Sequence, residues 1–296
     1  MGRTADTTEN LGGLEKQFYS ACANGNIEEV KELLENDQLN INCQNISTWT
    51  PLHVACFNRH IEVVKLLLND KRIELNHLND HGWTPFFLVC YYGSLDIMKL
   101  LLNDERVEIN KTDKSGSTPL WIACSYDQTR IVKLLLNDKR IEVNKANICD
   151  ETPLHIASKS DRFDVVKLLL NDERVNVNKA NFEAQTPLHI ACSYKQVRIM
   201  EYMLASRSEI NLTVKDDQGM TPIDIARKRE TEGKHNWESI KEFEKRKRSF
   251  RIIIDLLESF ERNLNETRRK LRIQLGLPSK INFISSINSI FNQLNL

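Results

Sequence analysis

Five cysteines recur at one register of the sequence, and converging thiols can bind zinc or form disulfides. Cys22, Cys56, Cys90 and Cys124 follow one another at intervals of 34 residues, and Cys192 lies 68 residues further on. Packed neighbouring helices lie about 8–10 Å apart, whereas a disulfide needs Cα atoms within about 7 Å and a zinc site needs closer convergence still. We therefore predict that these five are small buried core residues, and that no metal site exists.

Cys149 stands outside this register. The sequence places it at the tip of a hairpin, so it is expected to be the most accessible thiol. The scattered cysteines, the missing C-x-x-C motif and the missing signal peptide predict reduced thiols in the cytoplasm, with the nucleus as a second compartment.

His53, His155 and His189 occupy a second recurring position, three residues after a threonine. A general-base role is one interpretation of such histidines. The same spacing lets the side chain reach back to the threonine backbone, as Glu does in a capping box, and we favour this structural role. No H-E-x-x-H, P-loop or G-x-G-x-x-G motif is present in the sequence. A dispersed Ser/His/Asp triad stays open, but we predict no enzyme activity and no cofactor.

Both sets of residues belong to a repeated segment. Each copy holds a text such as TPLHVAC or TPLHIAC, an aliphatic block such as IEVVKLLLND, and then IELN or a variant of it. Threonine is a good N-cap, and proline suits the first helical position because its missing amide would have had no partner there. The aliphatic block has helical spacing and predicts a second helix. The six copies begin at Thr50, Thr84, Thr118, Thr152, Thr186 and Thr221.

This repeat resembles the ankyrin repeat, whose T-P-L-H-x-A signature and two-helix unit it nearly reproduces. The resemblance implies an all-α ankyrin-repeat solenoid of helix-turn-helix units with hairpin loops, extended by C-terminal helices. We expect a disordered tail over residues 1–13 and ankyrin repeats over residues 14–226, about six units and the start of a seventh. A basic helical insert with capping helices is expected over residues 227–275, followed by a tail over residues 276–296.

The last repeat departs from the pattern. Its aliphatic block is displaced to Ile253, which indicates an inserted, helix-favouring basic segment before it. A short helix is then expected, capped by Asn265 and stopped by Gly276 and Pro278. In the final tail, the isoleucines from Ile281 onward fall on one helical side.

The hairpins before Thr-Pro contain a glycine in three copies, where a positive φ is expected. Thr48, Asp150 and Ala184 replace it in the others, at about 1 kcal/mol of strain each. We also expect the asparagine of Asn69-Asp70 to end the second helix in a left-handed conformation.

The resemblance implies binding of another protein by a scaffold or adaptor, and a monomer is expected. Partners of such repeats usually contact the hairpin tips, the residue before Thr-Pro and the end of the first helix. The second to fourth repeats are aromatic there, so we predict that binding centres on their concave side. The predicted partner-binding residues are Ile46, Trp49, Phe57, His81, Trp83, Tyr91, Tyr92, Tyr126, Phe182 and Tyr194.

The charge is unevenly distributed. The chain is neutral overall, yet residues 221–296 carry an excess of six positive charges. The run Lys245, Arg246, Lys247 and Arg248 is a candidate nuclear localisation or nucleic-acid patch. An ordinary exposed helix face is the alternative that we favour. A nuclear or nucleic-acid-associated regulator is therefore the alternative function, and no membrane partner is expected.

Three asparagines complete the candidate sites. Asn76, Asn110 and Asn144 lie in the pattern that is hydroxylated in some proteins that this one resembles. The alternative, which we favour, is that each asparagine ties its hairpin together.

Overall fold

The computed structural model describes residues 8–207 and 209–278, and every regular element within these ranges is an α-helix. This confirms the predicted all-α fold of helix-turn-helix repeats. Two compact units are distinguished, an N-terminal unit that ends at Pro187 and a C-terminal unit that begins at Leu188. Most of the expected tails, including the stretch from Ile281 to Leu296, lies outside the described residues.

The N-terminal unit consists of five helix pairs. Within it the first helices of successive pairs pack side by side, and so do the second helices. The pairs are α1 (Gly13–Asn24) with α2 (Ile27–Leu34), α3 (Pro51–Phe57) with α4 (Ile61–Asn69), α5 (Pro85–Tyr92) with α6 (Leu95–Leu102), α7 (Pro119–Ser125) with α8 (Thr129–Asn137), and α9 (Pro153–Lys159) with α10 (Phe163–Leu170).

The recurring histidine is a capping residue, as predicted. In α3 the His53 backbone N–H donates to Thr50 Oγ1 (3.4 Å), and the Thr50 N–H donates to His53 Nδ1 (3.2 Å). His53 Nε2 lies 2.9 Å from the Trp83 carbonyl oxygen in the next repeat. Because a carbonyl can only accept, Nε2 must carry the proton. Burial lowers the pKa of His53 to about 4, which keeps the ring neutral.

A row of arginines joins successive repeats, and the sequence analysis did not single it out. Arg106 forms an ion pair with Asp104 (2.6 Å) and donates to the carbonyl of Leu68 (2.9 Å) at the end of α4. The last carbonyls of a helix have no partner within it, so each arginine satisfies one of them. The equivalent arginines are Arg72, Arg140 and Arg174, which donate to Leu34, Leu102 and Leu136.

Asn69 does not adopt the expected left-handed conformation. The carbonyl of Leu68 at the end of α4 is instead capped by Arg106 of the next repeat. Asp70 follows α4 with a φ of −81°. The left-handed residues lie elsewhere. Thr48, Asp150 and Ala184 have the predicted positive φ in their hairpins, and Arg59 is one of several more between the first and second helices.

The C-terminal unit takes most of α11 (Pro187–Ser193), then α12 (Val197–Ser206), α13 (Pro222–Thr231), α14 (Ile240–Arg262) and α15 (Leu264–Gln274). The inserted residues do not form a separate helix. They lengthen α13 and α14, the two helices of the last repeat. Helix α14 has 23 residues and contains both the basic segment and the aliphatic block. Its buried face includes Phe250, Ile253, Leu257 and Phe260.

The start of α15 differs from the prediction by two residues. Asn263, rather than Asn265, accepts from the Glu266 N–H (3.2 Å), and its own amide donates to the Glu266 carboxylate (3.0 Å). The cap therefore falls where a glutamate stands three residues later. The helix ends at Gln274, before Gly276 with a φ of 65°.

Candidate interaction surface

Four aromatic rings form an unbroken series across three neighbouring repeats of the N-terminal unit. Phe57 ends α3, Tyr91 and Tyr92 end α5, and Tyr126 follows α7. The ring centroids are 5.0 Å apart for Phe57 and Tyr92, 4.7 Å for Tyr92 and Tyr91, and 4.3 Å for Tyr91 and Tyr126. Tyr126 is 48% exposed and the other three are partly exposed.

Trp83 extends this series toward a hairpin. Its ring stacks on Tyr91 (5.5 Å) and on Phe87 (5.6 Å), while exposed His81 lies 4.9 Å away. These separations are those of favourable aromatic pairs. The structure therefore brings together Phe57, His81, Trp83, Tyr91, Tyr92 and Tyr126, six of the ten predicted residues; we call these six the aromatic surface.

Neighbouring repeats hold the two central tyrosines in place. Arg59 donates to the carbonyl of Tyr92 (2.8 Å), and Gln128 donates to the carbonyl of Tyr91 (3.0 Å). The hydrogen bond between the Tyr91 and Tyr126 side chains raises the pKa of Tyr91 to about 12. Burial raises the pKa of Tyr92. The phenols therefore stay neutral at physiological pH and remain available as hydrogen-bonding groups.

Trp49 was expected to face a partner, and this expectation is wrong. The side chain is only 8% exposed. Its ring folds along α3, 5.9 Å from the His53 ring and 5.5 Å from the Phe57 ring. Aromatic residues four and eight positions later on the adjacent helix supply the surface that covers it. Trp49 therefore packs against Phe57 and does not face solvent.

The hairpin tips carry a second group of apolar side chains. Ile148 is 73% exposed and Phe182 is 79% exposed, and the Phe182 N–H donates to the Cys149 carbonyl (3.0 Å), so these two tips lie side by side. Phe182 is one of the ten predicted partner-binding residues, whereas Ile148 was not predicted. Ile148 and Phe182 each follow the asparagine of their hairpin, and this shared position could have identified the two residues in the sequence. Ile46 is exposed at another tip, and Tyr194 is exposed in the C-terminal unit.

The candidate basic patch is divided. Arg246 is buried against Glu238, with Nε 3.0 Å from a carboxylate oxygen, so it is wrong as a surface residue. Lys247 lies over the Phe243 ring at 5.4 Å and is half-buried. Lys245 and Arg248 are exposed. The division arises because a helix turns 100° per residue, so four consecutive side chains cannot share one face.

The asparagines tie hairpins together, as the favoured interpretation predicted. The Asn76 amide donates to the Arg106 carbonyl (2.8 Å), and its Oδ1 accepts from the Glu108 N–H (2.8 Å). Asn110 and Asn144 make the same pair of bonds to the following repeat. Hydroxylation of these residues stays a prediction.

The five in-register cysteines are buried and Cys149 is exposed, as predicted. Within residues 8–207 and 209–278, no cluster of three or more His, Cys, Asp or Glu side chains could hold a metal ion. No helix in the same ranges is long and apolar enough to cross a membrane.

Comparison with family models agrees with this geometry. A model described as ankyrin repeats (3 copies) matches residues 71–147 and 154–232, and one described as ankyrin repeats (many copies) matches residues 18–68. Together the matches cover well over half of the chain. The chain belongs to the ankyrin-repeat family.

Solved structures show the same ankyrin fold. The ankyrin repeat domain of Bcl-3, described as a unique member of the IkappaB protein family, is 24% identical with a TM-score of 0.66, covering 71% of this chain and 92% of that one. The human ASB11 ankyrin repeat domain is 23% identical with a TM-score of 0.58, covering 79% of this chain and 96% of that one. A search of curated proteins found no match.

Proposed function

We propose that this ankyrin-repeat protein is a non-catalytic scaffold or adaptor that binds a protein partner through the aromatic surface of its second to fourth repeats. Ankyrin repeats are a general protein-interaction module. The observation that carries the proposal is the unbroken series of partly exposed rings from Phe57 to Tyr126. Hot spots favour Trp and Tyr, because these side chains bury a large area with few rotatable bonds to freeze.

The aromatic surface contains six of the residues that were predicted to contact a partner, which supports the proposal. Rings that already contact one another lose little side-chain freedom when a partner covers them, which favours affinity. The exposed tips with Ile46, Ile148 and Phe182 would extend the contact. Modification of Asn76, Asn110 or Asn144 would require the enzyme to open the hairpin ties first.

The test compares capture of partners from native extract by the full-length protein and by two variants. Tyr92→Ala and Trp83→Ala should each weaken binding of the captured partner by more than about tenfold, since truncation of a hot-spot aromatic often costs about 2 kcal/mol or more. Lys159→Ala is the control, because its side chain contacts the Glu151 carboxylate (3.2 Å) in a repeat without the aromatic series.

Thermal unfolding must show that the variants remain folded. If Lys159→Ala abolished capture while both aromatic variants captured the partner normally, the aromatic surface would not be the binding site.

A further inference from the structure

The loop between α13 and α14 in the C-terminal unit is held by one buried arginine. Arg246 makes two bonds to the Glu238 carboxylate (3.0 and 3.2 Å) and donates to the carbonyls of Gly233 (2.9 Å) and Arg229 (3.1 Å). Lys234 Nζ donates to the Glu238 carbonyl (2.6 Å). The guanidinium thus satisfies backbone carbonyls that no helix satisfies, and it fixes the path of the loop.

This fixed loop presents two large apolar side chains to solvent. Trp237 is 80% exposed, and Ile240 at the start of α14 is 69% exposed. The His235 ring stacks parallel to Trp237, with centroids 5.2 Å apart and planes at 4°. An exposed tryptophan on an ordered loop does not contribute to the core, and such side chains are typical anchors of interfaces.

Exposed cations follow this pair on α14. Lys241, Lys245 and Arg248 are exposed and follow one another at helical spacing on α14. No ion pair is found for them among the described residues, whereas Arg251 is paired with Glu230 (3.0 Å). A cleft of about 300 Å³ runs beside Trp237 and is lined in part by Lys195 and Lys245.

Two acidic side chains lie near these cations. Glu242 already accepts from the Ser239 N–H (2.9 Å) as part of the helix cap. Exposed Glu244 lies between the cations and offsets one of them. The balance of the exposed charges remains positive.

We propose that Trp237, Ile240, Lys241, Lys245 and Arg248, here called the Trp237 surface, bind an acidic peptide segment that carries a large apolar side chain. Trp237 and Ile240 would bury the apolar residue, while the cations would face its carboxylates. The exposed aliphatic Ile240 favours a peptide over a nucleic acid, because a peptide can supply an apolar side chain for it to bury. Residues 279–296 contain no acidic side chain, so charge complementarity favours a separate partner over the chain's own C-terminal segment.

The experiment selects a random dodecapeptide display library on the full-length protein and measures affinities of the enriched peptides by fluorescence anisotropy. The expected consensus holds several Asp or Glu residues and one aromatic residue, Leu or Ile. Trp237→Ala should weaken the best peptide by at least about tenfold. Lys245→Glu should weaken it several-fold and reduce the salt dependence of binding.

Two controls separate this site from the aromatic surface. Tyr126→Ala should leave peptide affinity unchanged, and thermal unfolding should show that Trp237→Ala is folded, as expected for an exposed side chain. Failure at the Trp237 surface therefore leaves the proposed function of the N-terminal unit intact.

Three results would overturn the proposal: no enriched peptides, a consensus without acidic residues, or peptide binding that Trp237→Ala does not weaken. A fluorescein-labelled random-sequence RNA dodecamer is measured in parallel. Tighter, Trp237-dependent binding of that RNA than of any peptide would identify a nucleic-acid site instead.

Discussion

The N-terminal and C-terminal units satisfy the carbonyls at helix ends in different ways. In the N-terminal unit Arg140 reaches the Leu102 carbonyl 38 residues earlier, and three more repeats copy this contact. In the C-terminal unit Arg268 and Arg272 of α15 reach the carbonyls of Leu204 and Ala205, 64 and 67 residues earlier. Repetition spreads stabilisation over equivalent contacts, whereas the C-terminal unit depends on contacts made once.

Loop anchoring shows the same contrast. Four asparagines of the N-terminal unit each tie one repeat to the next: Asn42, Asn76, Asn110 and Asn144. The insertion loop of the C-terminal unit is held by contacts that occur once, chiefly those of Arg246 with Glu238 and Gly233. We therefore expect single substitutions to have larger effects in the C-terminal unit.

The largest effect is expected for Arg246→Ala. It removes the guanidinium that pairs with the buried Glu238 carboxylate and donates to the carbonyls of Gly233 in the loop and Arg229 in α13, and a buried carboxylate that loses its cation is strongly destabilising. The Arg246 bond also lowers the pKa of Glu238. Unfolding followed by the fluorescence of Trp237, the one tryptophan after residue 187, should show a large loss. Lys247→Ala, next to it but half-buried, is the matched control, and equal losses would contradict the comparison.

The next effect is a pH dependence of the N-terminal unit. His53, with a pKa lowered to about 4 by burial, stays neutral in the folded state, while the unfolded state binds a proton near pH 6.5. Stability should therefore fall as pH drops below about 6.5, by about 2 kcal/mol at pH 5 and about 3 kcal/mol near pH 4.

Phe87 occupies the equivalent position in the next repeat, so the fold accepts a phenylalanine there and His53→Phe is a suitable variant for comparison. Denaturant unfolding at a series of pH values from about 8 to 5 should show a shallower dependence for His53→Phe. Parallel curves for the two proteins would mean that another group causes the slope.

The arginine caps test the contrast directly. Arg140→Gln removes a bond to Leu102 and a partly exposed ion pair with Asp138, so it should cost about 1 kcal/mol. Arg272→Gln removes a buried bond to Ala205 and a partly buried bond to Pro278 and should cost about twice as much. Equal midpoint shifts in denaturant unfolding would show that repetition gives no protection.

The smallest effect is expected in a hairpin. Ala184 has a φ of 56°, which costs an L-residue about 1 kcal/mol, and Ala184→Gly should recover part of it. Gly116→Ala is the reverse control, because its Cβ would come within 3.0 Å of the Ile148 backbone nitrogen. A lower melting temperature for Ala184→Gly would show that its methyl group contributes more than the strain costs.

Features that depend on local spacing could be predicted from the sequence. The pair Thr50 and Pro51 predicts the start of a helix from sequence alone, and His53 lies three residues after that cap. Cys56 recurs at the repeat period, which predicts a core position. Aromatic positions such as Tyr92 and Tyr126 converge because equivalent positions of stacked repeats are neighbours.

The packing of the folded chain sets which of these side chains face solvent and which are hydrogen-bonded by residues distant in sequence. Trp49 is buried while Trp83 is more exposed, although both stand before Thr-Pro and both rings contact the residues four and eight positions later, so these local contacts do not decide burial. Arg246 lies in a basic run, yet its guanidinium is buried, because it bonds to the Glu238 carboxylate and to the Gly233 carbonyl of the folded loop. Burial depends on partners distant in sequence, and no local pattern specifies where those partners come to lie.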